Sequence, residues 1–100
     1  TLFNIQSSSA SEVTHASLVA YGWHLQDDGY RLIVVNLGGQ HAYGCVDLTP
    51  WMTIENRSWR LFDVIDGAEY RRRGEDLSND GLYVSLEAFE SHVFRFELVD

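Results

Sequence analysis

The apolar residues of this chain recur at every second position, in short runs broken by Gly, Asp, Asn and Pro, and no window sustains an i, i+3, i+4, i+7 stripe for three turns. A side-chain repeat of two belongs to strands, so the pattern confines the chain to an all-β fold. With 100 residues, about 65% of the unfolded surface can be buried, enough for one core. A TIM barrel of roughly 250 residues does not fit, nor does a Rossmann domain with a separate substrate domain.

Ala16 to Leu25 alternates Val19, Tyr21, Trp23 and Leu25 against Leu18, Ala20, Gly22 and His24, and the larger set, Trp23 included, reads as the core face. Asp27-Asp28-Gly29 then supplies hairpin chemistry. Tyr30 to Leu37 is apolar on both faces, as expected of a central strand covered on both sides, and Gly38-Gly39 ends it. Ala42 to Leu48 is a third strand, whereas Pro50 makes Thr49 to Asn56 a loop. Trp59 to Ile65 is a fourth, with Trp59, Leu61, Asp63 and Ile65 sharing a face, and Asp66-Gly67 turns it into Glu69 to Arg73, a charged strand suited to a sheet edge. Asn79-Asp80-Gly81 introduces Leu82 to Leu86, and His92 to Val99 closes the chain. The expectation is an antiparallel β-sandwich of about six to eight strands, Greek-key-like. Residues 1–15 stand apart as an N-terminal strand (Leu2, Phe3, Ile5) with a flexible connection through Ser7 to Ser11. Residues 16–100 form the sandwich, within a single domain.

A net charge of −8 repels phosphate backbones and anionic lipid, and the only basic run, Arg71-Arg72-Arg73, is flanked by Glu69, Glu75 and Asp76. Nucleic acid is therefore not an expected partner. No run approaches the 18 apolar residues of a membrane span, so no membrane partner is expected either. A lone Cys45 cannot form an internal disulfide, which tilts the reading toward a reducing, cytoplasmic setting; the start at Thr1 leaves room for a segment upstream.

Glycosidic chemistry needs two carboxyl groups about 5 to 9 Å apart. The pairs Asp27/Asp28, Asp63/Asp66, Glu75/Asp76 and Glu87/Glu90 all read instead as solvated acids of turns and loops. His15, His24, His41 and His92 share no metal-ligand spacing, and His92 reads as a partner for nearby backbone. No metal or cofactor is expected. Cys45 has no activating pattern around it and reads as a small core side chain. Gly38-Gly39 lacks the following helix that a phosphate cradle requires. Sugar recognition uses flat aromatic faces, and Trp51, in a loop beside Pro50, is the best candidate, with Tyr43 and Tyr83 behind it; packing in a core or interface competes with that role.

Ser17-Leu18-Val19-Ala20-Tyr21-Gly22-Trp23, Tyr30-Arg31-Leu32-Ile33-Val34-Val35-Asn36-Leu37 and Ser58-Trp59-Arg60-Leu61-Phe62-Asp63-Val64, in this order, resemble the C-terminal domain of glycoside hydrolase family 13, the α-amylase superfamily. Gly81-Leu82-Tyr83-Val84-Ser85-Leu86 followed by His92-Val93-Phe94-Arg95-Phe96 fits the same pattern, and Val35-Asn36-Leu37 is its most telling piece. Pro50-Trp51 after Asp47-Leu48 is similar to the family's Leu-Pro-Trp corner, with Thr49 inserted. The resemblance covers roughly residues 16 to 97. It implies an antiparallel sandwich following a catalytic TIM barrel of the same parent chain. The barrel's catalytic motifs do not occur here, so no catalytic residue carries over. The implied role is a non-catalytic accessory domain that stabilises the barrel of an enzyme hydrolysing or transferring α-glucans. The alternative is an independent starch or maltooligosaccharide-binding module using Trp51, Tyr43 and Tyr83, and a sandwich for adhesion or protein interaction is a third reading.

Overall fold

A computed structural model of the protein describes residues 2–6, 14–24, 29–51 and 57–99, without the side chains of Thr14 and His15. Two antiparallel sheets pack together. The larger is ordered β1 (Leu2–Phe3), β3 (Leu18–His24), β4 (Tyr30–Asn36), β9 (Ser91–Leu98), β6 (Ser58–Asp63) and β7 (Glu69–Arg73). The smaller is ordered β2 (Ile5–Gln6), β5 (Ala42–Val46) and β8 (Leu82–Leu86). The last strand inserts between β4 and β6, the long return of a Greek key. The expected turn residues Asp27 and Asp28, the Ser7 to Ser11 connection and residues 52–56 of the expected Thr49 to Asn56 loop lie outside the described residues.

The N-terminal segment belongs to both sheets. Leu2 and Phe3 pair with Tyr21 and Ala20 of β3, whereas Ile5 and Gln6 pair with Val46 and Cys45 of β5. The chain changes sheets at Asn4, whose carbonyl accepts the Asp47 N–H.

The core lies between the sheets, with Leu32, Val34, Leu61 and Phe96 from the larger facing Ala42, Val46, Val84 and Leu86 from the smaller. Each fully buried Leu or Phe contributes about 1.5–3 kcal/mol by leaving water. Trp51 fills the centre: its ring contacts Phe3, Tyr30 and Phe96 at centroid distances of 4.7, 4.5 and 5.4 Å.

That placement reverses the expected faces of β3. Leu18 and Ala20 are buried, whereas Val19, Tyr21 and Trp23 are exposed. The reason is volume. A Cβ at Gly22 would lie 2.6 Å from Trp51 Cζ2 and 2.6 Å from the Arg31 carbonyl oxygen, so the small residues face inward to admit Trp51, and Trp23 has no room there. β4 is central, between β3 and β9, but only Tyr30, Leu32, Val34 and Asn36 are fully buried; Arg31, Ile33 and Val35 face outward and remain half-covered. β6 stops at Asp63, leaving Ile65 exposed in the following turn. β7 is the charged edge strand the sequence implies.

Two short helical pieces were not expected. Thr14–Ser17 forms a single 3-10 turn, and α1 (Gly74–Asp80) connects β7 to β8. Only Gly74 and Leu77 of α1 are buried, so it carries no apolar stripe for periodicity to reveal. The helix ends at Gly81, which has φ of 73° and donates its N–H to Leu77 O.

Candidate functional site

Four residues of the larger sheet's outer face are large, apolar and open to solvent: Leu2 (69% exposed), Val19 (39%), Tyr21 (49%) and Trp23 (40%). Register makes Leu2, Val19 and Tyr21 contiguous with the interior of the sheet, whereas Trp23 is paired with Arg31 and joins them through Tyr21, the two ring centroids lying 6.1 Å apart. Leu2 pairs with Tyr21, Tyr21 with Ile33, Ile33 with Val93 and Val19 with Val35. A pleated sheet places paired residues on one face, so these side chains form one apolar surface spanning β1, β3, β4 and β9.

A polar border runs along its β9–β6 side. Arg60 donates to Glu97 at 2.7 Å and also meets Glu69 at 3.1 Å, and the Arg95 guanidinium lies 5.0 Å from the Phe62 ring centre. The hydrogen bond from Arg60, opposed by slight burial and helped by the charges of Arg60, Arg95 and Arg31, holds the Glu97 carboxyl below its usual range. Among the described residues, Arg95 Nε is buried without a hydrogen-bond partner.

The aromatic residues expected to meet sugar are separated. Trp51 is 6% exposed, and its contacts with Phe3, Tyr30 and Phe96 leave no open face for a pyranose, so the structure gives it the packing role. Tyr43 and Tyr83 lie on the outside of the smaller sheet. Tyr43 stacks on His41 with centroids 4.5 Å apart, and Tyr83 is 54% exposed. Tyr83 flanks a groove of about 300 Å³ that runs between β8 and the inner face of the larger sheet, where Tyr70, Arg72, His92 and Phe94 line it.

Asp63 overturns the solvated-turn reading, because it is wholly buried. Its Oδ2 accepts the Nδ1–H of His92 at 2.5 Å, and its Oδ1 accepts the Ile65 N–H at 2.9 Å. Burial pushes the carboxyl up, but the hydrogen bonds from Ile65 and His92, the His92 charge and the Val93 N–H outweigh it and hold the group below the ordinary Asp value. His92 therefore binds a carboxylate rather than backbone. Asp63, Asp66 and His92 place ligand atoms within 4.8 Å of one another. These donors are already engaged: Asp63 as described, and Asp66 Oδ1 by the Ala68 N–H at 2.8 Å. The cluster closes a turn.

Of the other expected acids, Glu75, Asp76, Glu87 and Glu90 are exposed, and Asp27 and Asp28 lie outside the described residues. Cys45 is half-buried on the outer side of β5, opposite the core-facing Gly44 and Val46, which corrects its expected core position. Burial first, and the nearby Asp80 charge second, push its thiol up, away from the reactive thiolate.

One constellation escaped the sequence. The pairing of Ala42 with Leu86 and of Tyr43 with Ser85 carries His41 to Glu87. His41 Nδ1 lies 2.9 Å from Glu87 Oε1, and its Nε2 lies 2.5 Å from Ser85 Oγ. A carboxylate only accepts, so Nδ1–H is the donor to Glu87, and Nε2 of the neutral ring accepts the Ser85 hydroxyl proton. Ser85 and Glu87, two apart on a strand, are legible as same-face residues; His41 joins them only through register.

Asn36 of Val35-Asn36-Leu37 is buried and fully engaged. Its Nδ2 donates to the carbonyls of Gln40, Leu86 and Glu87 at 2.8, 3.2 and 3.1 Å, and its Oδ1 accepts Ser17 Oγ and Gly38 N at 2.8 and 2.9 Å. It joins the end of β4 to the end of β8.

Among the described residues no helix is long and apolar enough to cross a membrane. No family model, curated protein or solved structure matches the chain.

Proposed function

We propose that the protein is an accessory β-sandwich that packs its larger sheet against a catalytic barrel of the same parent chain, in an enzyme of the α-amylase superfamily acting on α-glucans. It contributes no glycosidic chemistry of its own. The observation that carries this reading is the apolar outer face of Leu2, Val19, Tyr21 and Trp23, continuous with Ile33, Val35 and Val93. Contiguous apolar area on a sheet with no layer over it among the described residues marks a surface that gains by being covered. The choice of a family 13 partner rests on the ordered strand motifs between Ser17 and Phe96.

The test replaces Tyr21 and Trp23 by Ser in the 100-residue chain and in a longer chain that includes a barrel. Surface substitutions leave the isolated sandwich within about 0.5 kcal/mol of its parent. The longer chain then loses stability by at least twice that amount. Equal, small effects in both would remove the docking role.

A second reading, glucan binding by the domain itself, keeps one supporting observation: Tyr83 is exposed beside a groove of about 300 Å³. With Trp51 enclosed, the contact would rest on Tyr83 and Tyr43.

A further inference from the structure

We propose that Ser85, His41 and Glu87 form an acyl-transfer site, with Ser85 as the nucleophile toward esters of small apolar acids. The site lies on the smaller sheet, away from the docking face, and does not depend on the docking reading. Nucleophilic catalysis by serine requires a base within hydrogen-bond reach and a third group that fixes the base's tautomer. Both contacts are in place: Ser85 Oγ is 2.5 Å from His41 Nε2, and Glu87 Oε1 is 2.9 Å from His41 Nδ1. Tyr43, stacked on the imidazole at 4.5 Å, holds the ring plane.

The strand that carries the serine supplies the rest. β8 is paired with β5 on one side only, and an antiparallel edge strand turns the N–H groups of alternate residues to its free side. Among the described residues, a backbone N–H turned to that free side therefore lies at Ser85 or at its immediate neighbours, where a developing oxyanion needs a donor. Ser85 also lines the groove of about 300 Å³ along this edge, whose wall is mostly apolar or aromatic, from Leu82, Val84, Tyr83, Tyr70 and Phe94, with Arg72 and His92 as its polar members. That lining fits an apolar or aromatic acyl group, which sets the substrate class.

In the first half-reaction Ser85 Oγ attacks the ester carbonyl carbon and its proton passes to His41 Nε2. The carbon–oxygen bond to the alcohol breaks, and the departing alkoxide takes the proton from His41. Water then attacks the acyl carbon and gives one proton to His41, the acyl carbon–Ser85 Oγ bond breaks, and His41 returns that proton to Ser85 Oγ. The balance is ester plus water to acid plus alcohol. Ser85 and His41 are the catalytic residues, and Glu87 is a positioning residue.

The experiment treats the 100-residue chain with an alkyl fluorophosphonate, maps the adduct by peptide mass, and follows p-nitrophenyl butyrate hydrolysis in parallel. The expected result is a single adduct on Ser85, lost in Ser85→Ala and slowed about 100-fold in His41→Gln, the scale of a general base. Glu87→Gln lowers kcat about 10-fold with KM unchanged at the parent's folded fraction, so the loss lies in the transition state and not in the amount of active protein. Circular dichroism melting confirms that each variant is folded. Absence of a Ser85 adduct, an equal rate in folded His41→Gln, or comparable labelling of Ser58 and Ser91 would overturn the proposal.

Discussion

The edge of Trp51 occupies the space that a side chain at position 22 would need: a Cβ on Gly22 would come within 2.6 Å of Trp51 Cζ2. This contact decides which face of β3 is inside. It follows that Gly22→Ala destabilises the fold despite relieving a flexible residue in a strand, by about 1–3 kcal/mol for overpacking. Trp51→Ala removes the ring itself and costs about 3–5 kcal/mol. Urea midpoints of the two variants check both values.

Hydrogen bonds from Ile65, His92 and Val93 and the His92 charge outweigh burial and hold Asp63 below its ordinary value in the folded chain, and Arg60 does the same for Glu97. A depressed folded value means that the contribution to stability is fully present above the unfolded carboxylate range near pH 4 and is lost as pH falls through the folded values. The melting temperature is therefore expected to drop as pH is lowered from about 5 toward 2. Asp63→Asn is expected to be less stable at neutral pH by about 2–4 kcal/mol and to show a shallower acid dependence, because the group that titrates is gone. Thermal melts of both proteins across that range measure the difference.

Asn36 is the joint between β4, the Ser17 turn and the end of β8. Asn36→Leu keeps the volume but strands buried donors and acceptors, each costing about 1–3 kcal/mol. The expected loss is at the upper end of that range or above it, read as a shift in the urea midpoint. Amide exchange is expected to accelerate first at Leu86 and Gly38, the residues this side chain ties together.

Maltoheptaose titration separates the roles assigned to the aromatic residues. The Trp51 indole is enclosed, so its proton signal is expected to stay fixed up to millimolar sugar. Saturable shifts at Tyr83 and Tyr43 would place glucan on the smaller sheet, and shifts centred on Trp51 would contradict its packing role.

The strands were legible because period two is a local property, and breaks such as the Asp66-Gly67 turn and Gly81, which ends α1 ahead of β8, bracket them. Facing was not legible in β3. Both of its faces carry apolar residues, and only a ring arriving from position 51 selects the smaller set for the inside. Asp63 reads as a turn acid because its partner, His92, is supplied by β9, the neighbour of β6 in the sheet. Helix α1 escaped because a short helix with Leu77 as its one buried side chain beyond Gly74 has no repeat to detect. The Ser85 and His41 pair shares this long-range origin, since nothing in the sequence near Ser85 announces the imidazole.

Hydroxyl-radical labelling tests the docking account most directly, because Trp23 and Tyr21 react readily when exposed and Trp51 serves as the buried reference. The measurement compares the 100-residue chain with a longer chain that includes a barrel. The account predicts strong labelling of Trp23 and Tyr21 in the isolated sandwich, severalfold protection of both in the longer chain, and low labelling of Trp51 in each. Equal labelling of Trp23 and Tyr21 in the two chains would contradict it.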